Sequence, residues 1–239
     1  MIIMPAIDIY EGKVVRLLKG NYDDMTVYSD DPLSYVAKFK ELGVTHLHIV
    51  DLEGAREGTT PNIEIIKQIA ADDSIFTQVG GGIRNMETID KYLAAGVDRI
   101  IIGTAAVTDE DFLKAAIDKY GADVIAVGVD IIEGNVAIKG WTEKTDYDTF
   151  TFCERMVHLG VKNIVCTDIS KDGTLERIHL GLYEEMQMWF DLNIVASGGL
   201  TYMEDVEGLR DLNLYGAIIG KAYYTGKIDL KEAIEVAKK

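Results

Sequence analysis

The residues that could do chemistry sit where apolar runs end. Asp8 closes MIIMPAID and Asp130 closes VIAVGVD. Two carboxylates on either side of one carbon can divide acid and base work when their surroundings push their pKa values apart. A lone strand-end Asp would more often cap a loop or pair with a nearby Lys or Arg; a matched pair favours catalysis. Thr167 ends NIVCT, where a hydroxyl can orient a substrate or relay a proton, and Asp172 lies in the DGT turn beyond it. Asp172 is either a third acid/base candidate or a turn residue suited to that place by its side-chain hydrogen bonds.

A second group of residues could hold phosphate. GGG (Gly80–Gly82) and SGG (Ser197–Gly199) follow two apolar runs, and GTA (Gly103–Ala105) and GKA (Gly220–Ala222) follow the next run in each case. Glycine lets a backbone approach an oxyanion closely, and a following helix offers free N–H groups and a favourable dipole. Tight turns alone would also use glycine, but the same pair of loops occurring twice favours phosphate. Two sites across one mouth imply one elongated substrate with two phosphates. The binding candidates are therefore Gly81, Gly82, Arg84, Gly103 and Thr104 on one side, and Gly173, Thr174, Ser197, Gly198, Gly199, Gly220 and Lys221 on the other. Arg16 and Lys19 lie in a long loop, RLLKGNYDD, and Trp141 lies in another, KGWTE. Both loops are long enough to be lids, and a Trp in a polar loop either packs under it or covers a ligand ring. His48 is a core histidine or, near a mouth, a binding group.

These residues need a scaffold that brings strand ends together. Strands are expected over Ile2–Asp8, His46–Asp51, Ile75–Val79, Arg99–Ile102, Val124–Asp130, Asn163–Thr167, Asn193–Ala196 and Ala217–Ile219, apolar and often continuously so, as parallel strands buried on both faces are. Helical patterns lie between them, over Pro32–Leu42, Asn62–Ala71, Met86–Ala95, Asp109–Lys119, Tyr147–Leu159, Leu182–Phe190, Tyr202–Leu209 and Asp229–Lys238. Eight such units in 239 residues predict a single α/β domain, a (β/α)8 TIM barrel spanning 1–239. VGGGIRNME resembles ASGGLTYME, and IIGTA resembles IIGKA, both at a spacing of 117 positions. AIDIYEGKV likewise matches GVDIIEGNV, and REGT matches KDGT. The barrel is thus expected to be two duplicated half-barrels, roughly 1–120 and 121–239. Units four apart face each other across a closed barrel, which sets Asp8 opposite Asp130.

A formal net charge of −16 argues against nucleic acid or an anionic membrane as partner. It does not argue against a phosphorylated substrate held by backbone N–H groups. Cys153 and Cys166 have no metal-ligand spacing, and the four histidines form no HExxH pattern. The N-terminus lacks the pattern of a secretory signal, and no apolar run approaches membrane-spanning length. A cytoplasmic monomer acting on a small-molecule bisphosphate, with no metal, is the expectation.

With the stretches PAIDIYEGKVVRLLKG, HIVDLEGA, VGGGIR, GWTE, TDISKDGT, ASGG and IIGKAYY, the chain resembles, over its whole length, the phosphoribosylformimino-aminoimidazole carboxamide ribotide isomerases of histidine biosynthesis. The resemblance implies an Amadori rearrangement with no metal or organic cofactor: a ribose opens, a proton leaves C2 and an aminoketose forms. By matching motif, Asp8 looks like the proton acceptor and Asp130 like the donor, while Asp172 matches a position that some members use as the acid. Thr167 resembles the family's threonine on the sixth strand, and Trp141 the residue that stacks on substrate when its loop closes. The sister cyclase of the same pathway fits less well at GWTE and TDISKDGT. A dual-specificity isomerase that also accepts phosphoribosylanthranilate fits the same motifs.

Overall fold

A computed structural model describes the whole chain, Met1–Lys239. The first strand, β1 (Ile2–Tyr10), continues into a hairpin of β2 (Lys13–Leu18) and β3 (Asn21–Ser29) before α1 (Pro32–Glu41). β4 (His46–Asp51) is followed by α2 (Leu52–Glu57) and α3 (Ile63–Ala70), β5 (Phe76–Gly80) by α4 (Met86–Ala94), and β6 (Arg99–Ile102) by α5 (Thr104–Thr108) and α6 (Glu110–Tyr120). The second half runs the same way. β7 (Ile125–Ile132) continues into β8 (Asn135–Ile138) and β9 (Glu143–Asp148), then α7 (Thr149–His158). β10 (Asn163–Asp168) leads to α8 (Leu180–Trp189), β11 (Asn193–Ser197) to α9 (Met203–Asp211), and β12 (Gly216–Ile219) to α10 (Lys221–Tyr224) and α11 (Leu230–Ala237).

Eight of these strands pair in parallel around a ring, β1–β4–β5–β6–β7–β10–β11–β12, with β12 returning to β1. The chain is therefore a closed (β/α)8 barrel, with every expected strand present to within two residues at either end. Two cores explain the continuously apolar strands. Outward residues such as Ile7, Ile49, Ile100, Val127 and Ile164 join the helices in one large cluster. Inward residues Met4, Ala6, Ile101, Ala126, Val165, Val195 and Ile218 fill the lumen in a second, smaller one. At the lower end the buried guanidinium of Arg99 lies over the rings of Phe76 and Tyr215 and donates to Asp123 O. No helix is long and apolar enough to cross a membrane.

The long loops after the first and fifth strands are not loops. β1 and β7 each run two residues past their aspartates and turn back, pairing Asp8 with Val15 and Asp130 with Ala137. Each turn is a Glu-Gly pair with positive φ at both residues, 49° and 73° at Glu11 and Gly12, 50° and 82° at Glu133 and Gly134. That is the backbone a two-residue hairpin turn needs to match strand twist. The helix expected from Tyr147 starts at Thr149, because Asp148 still pairs with Asn135 in β9. Its carboxylate also accepts from the first amides of α7.

Candidate active site

Side chains alternate along a strand, so every second residue near the C-terminal ends points into the barrel. Ala6 and Asp8, His48 and Val50, Gly128 and Asp130, Val165 and Thr167 keep that period, and all line one cavity of about 280 Å³ at the mouth. Of the residues singled out in the sequence, Asp8, Asp130, Thr167, Asp172, Arg16, His48, Gly81, Gly82, Arg84, Gly103, Thr104, Trp141, Gly173, Ser197, Gly198, Gly199, Gly220 and Lys221 line it together.

Lys19 and Thr174 do not. Lys19 sits exposed in the β2–β3 turn at φ 48°. The Thr174 hydroxyl is spent on its own loop, donating to Lys171 O and accepting from Glu176 N. Besides apolar and glycine positions, three polar lining residues escaped the sequence reading, Lys171, Tyr22 and Thr201. Lys171 is the counterpart of Arg56 in the REGT/KDGT pair, a signal that was present; Tyr22, whose hydroxyl donates to Leu52 O, gave none.

The three carboxylates occupy different surroundings. Asp8 is 8% exposed and accepts from Arg16 Nη1 at 2.8 Å. Burial pushes its carboxyl up, and the Arg16 guanidinium pulls it back. Asp130 is also pushed up by burial, offset by the Trp141 side chain and the Thr167 hydroxyl. Asp172 is raised to about 6, chiefly by burial; the positive charges of Arg16 and Lys221 oppose the rise and the negative charges of Asp8 and Asp130 add to it. His48 is held down to about 3 by burial and by Arg16, so its ring is neutral at ordinary pH. Its Nδ1 lies 3.1 Å from Gln78 Nε2; accepting from that amide leaves Nε2 to carry the proton.

The glycine loops differ from expectation in what their glycines are for. A Cβ on Gly81 or Gly82 would collide with the carbonyls of Asp51 and Gly54, and one on Gly198 with that of Asp168. These residues are Gly because a neighbouring loop passes close by, at φ values of 122°, 67° and 85°. Gly199 similarly abuts Lys171 and the Glu176 carbonyl. Gly103 has open space beside it, and Gly220 faces the Arg16 guanidinium. The hairpins close the cavity from above. A Cβ on Gly20 would lie 2.7 Å from the Trp141 ring, and one on Gly173 3.0 Å from Leu17 O. The lids from strands β1, β7 and β10 are thus already in contact.

The model of the family described as histidine biosynthesis protein matches residues 2–229. A 1-(5-phosphoribosyl)-5-((5-phosphoribosylamino)methylideneamino)imidazole-4-carboxamide isomerase of Brachyspira hyodysenteriae is 48% identical over 238 residues, covering 100% of both chains. The proteins of the same name from Ruminiclostridium cellulolyticum and Lactococcus lactis subsp. cremoris are 47% and 46% identical, over 98% and 100% of this chain and 99% and 98% of their own.

The raised pKa of Asp172 makes a prediction about stability. Its folded value of about 6 lies above the ordinary 3.8, so the folded state holds the proton more tightly than the unfolded one. The folded state is favoured below about pH 4, and that advantage is lost as pH rises through 6. Asp172→Asn carries no such proton, so its Tm should exceed that of the parent at pH 7.5 and the gap should close by pH 4. A gap that stays constant across that range in thermal melts would refute the assignment.

Proposed function

Because the chain belongs to the histidine biosynthesis protein family, we propose that it is the aldose–ketose isomerase its relatives are named for. In this reading it converts N′-(5′-phosphoribosylformimino)-5-aminoimidazole-4-carboxamide ribotide to the phosphoribulosyl isomer. The observation that carries the reading is one cavity at the barrel mouth with carboxylates on opposing strands and a glycine-loop pair at each end. Sugar isomerisation needs an acid and a base around one carbon, and this substrate has a phosphate at each end.

Asp172, protonated at pH values up to about 6, donates to the ribose ring oxygen. The bond from that oxygen to C1 breaks as the nitrogen lone pair closes a C1=N bond, leaving an open-chain protonated imine. Asp8, held against the Arg16 guanidinium, takes the proton from C2; the electron pair of that C–H bond forms the C1–C2 double bond of the enaminol, and the C1=N pair returns to the nitrogen. Asp8 returns a proton to C1 as the C2 hydroxyl becomes a carbonyl and gives its proton to Asp172. Both carboxyl groups are restored. Neutral His48 can donate a hydrogen bond without competing as a base. Asp130, with Thr167 and Trp141 beside it, anchors the indole that covers the substrate. Lys171 and Lys221 face the phosphate at the β11–β12 end, and Arg84 and Thr104 the phosphate at the β5–β6 end.

The same reading makes the protein a cytoplasmic monomer without a cofactor. It also makes residues 1–120 and 121–239 two copies of one half-barrel; the matching Glu-Gly hairpins support this.

The purified protein should turn over the aminoaldose ribotide when supplied alone. Phosphoribosylanthranilate run in parallel separates a single-substrate from a dual-specificity isomerase. Inactivity on both would return the chain to the cyclase reading, tested next with the aminoketose and ammonia. Asp8→Asn should lower kcat by roughly a thousandfold or more with KM within about threefold, since it removes a proton acceptor and no binding contact; retention of a tenth of the activity would remove Asp8 from the mechanism. Lys171→Met should raise KM about tenfold, the loss of one charge-assisted phosphate contact, with kcat and Tm little changed. An unaltered KM would take Lys171 out of the phosphate site.

A further inference from the structure

Arg16 has no carboxylate partner except Asp8, and its own position rests on the segment after β12. Arg16 Nη1 donates to Asp8 Oδ2 at 2.8 Å, and Nη2 donates to Ala6 O at 2.7 Å. The Tyr224 hydroxyl donates to that same Ala6 carbonyl at 2.8 Å. The Tyr224 ring lies beneath the guanidinium, 5.3 Å from centroid to Cζ. The guanidinium also lies close to Gly220, where a Cβ would be only 3.0 Å from Nη2. Tyr224 is fixed in turn by Tyr28 and Tyr35, at 4.6 and 5.4 Å between ring centroids. Burial keeps it a neutral phenol. It does not line the cavity.

We propose that Tyr224 is a positioning residue for the isomerisation: it seats the Arg16 guanidinium against Asp8 and so sets how readily Asp8 takes up a proton. The proposal rests on Asp8 being the base. An arginine without a seat could swing toward a substrate phosphate, and Asp8 would be left with burial alone acting on it. Cation–π contact and the shared carbonyl hold the guanidinium where a floppy side chain would otherwise lose rotamer freedom. The ionisable groups facing this pair are Tyr22 from β3, His48 from β4, Asp172 from the β10–α8 loop and Tyr224 itself. His48 and the two phenols stay uncharged at ordinary pH, so Arg16 and Asp172 are the charges that matter.

The test is the pH profile of kcat/KM for Tyr224→Leu and Tyr224→Phe, with Asp8→Asn as control. Tyr224→Leu removes ring and hydroxyl; its acid limb should move up by about one pH unit, a tenfold change in the acidity of Asp8. KM at the optimum should stay within about twofold. Tyr224→Phe keeps the ring and should move the limb less. In an Arg16→Met background, which itself moves the limb up, Tyr224→Leu should add nothing. Limbs that superimpose on the parent, or an equal further shift without Arg16, would overturn the proposal. Should Tyr224→Leu not fold, Tyr224→Phe decides by the same comparison. An active Asp8→Asn would instead unseat Asp8 as the base, a separate failure.

Discussion

All eight barrel strands run the same way and close on one another, and everything at the mouth depends on that closure. Parallel pairing in register brings Asp130 beside Thr167 and Thr167 beside Ser197, one rung after another. It also sets β1 four strands from β7 in either direction around the ring. Alternation then does the sorting. A slip of one residue in β1 would send Asp8 into the helix layer and put Ile7 or Ile9 at the mouth. Nothing in the side chains of Asp8 or Asp130 chooses the cavity; the apolar residues on either side of them do, by belonging to the outer core.

That placement has an electrostatic cost which the site turns to use. Three carboxylates share a poorly solvated space, and burial favours their neutral forms. Arg16 offsets the cost most directly at Asp8, the carboxylate it touches. Asp172 has no such contact and feels the charges of both neighbours, and its carboxyl is raised to about 6. The different surroundings of nearly identical side chains thus come largely from the position of one guanidinium.

Much of this was legible in the sequence because barrel strands buried on two faces cannot hide. Continuous β-branched runs with a polar residue at the end mark both the strand and its rim residue, and Asp8, Asp130 and Thr167 follow directly. The Glu-Gly hairpins were written equally plainly in YEGK and IEGN, but two-residue turns with a non-glycine first residue are a weak signal beside long polar loops. The glycine motifs line the cavity, and at Gly81, Gly82 and Gly198 a neighbouring carbonyl leaves no room for a side chain. Proximity of the Asp51, Gly54 and Asp168 carbonyls is tertiary information that no local pattern carries. Lys19 and Thr174 lie outside the cavity lining for a related reason: residue type suggested binding, while Lys19 sits exposed in a turn and the Thr174 hydroxyl bonds within its own loop. The Arg16–Asp8 pair was not visible either, since the antiparallel return of β2 that brings them together was itself unforeseen.

The charge distribution has a kinetic consequence. The chain as a whole carries −16, yet Arg16, Arg84, Lys171 and Lys221 gather at one cavity. A doubly phosphorylated molecule approaching from bulk is first repelled by the molecule at large. Only within about a Debye length of the mouth, roughly 8 Å at physiological ionic strength, does the local cationic rim take over. Added salt therefore acts on two opposing fields of different range, lowering the outer barrier before it weakens the inner well. The salt dependence of anion capture thus reports which of the two fields governs the encounter.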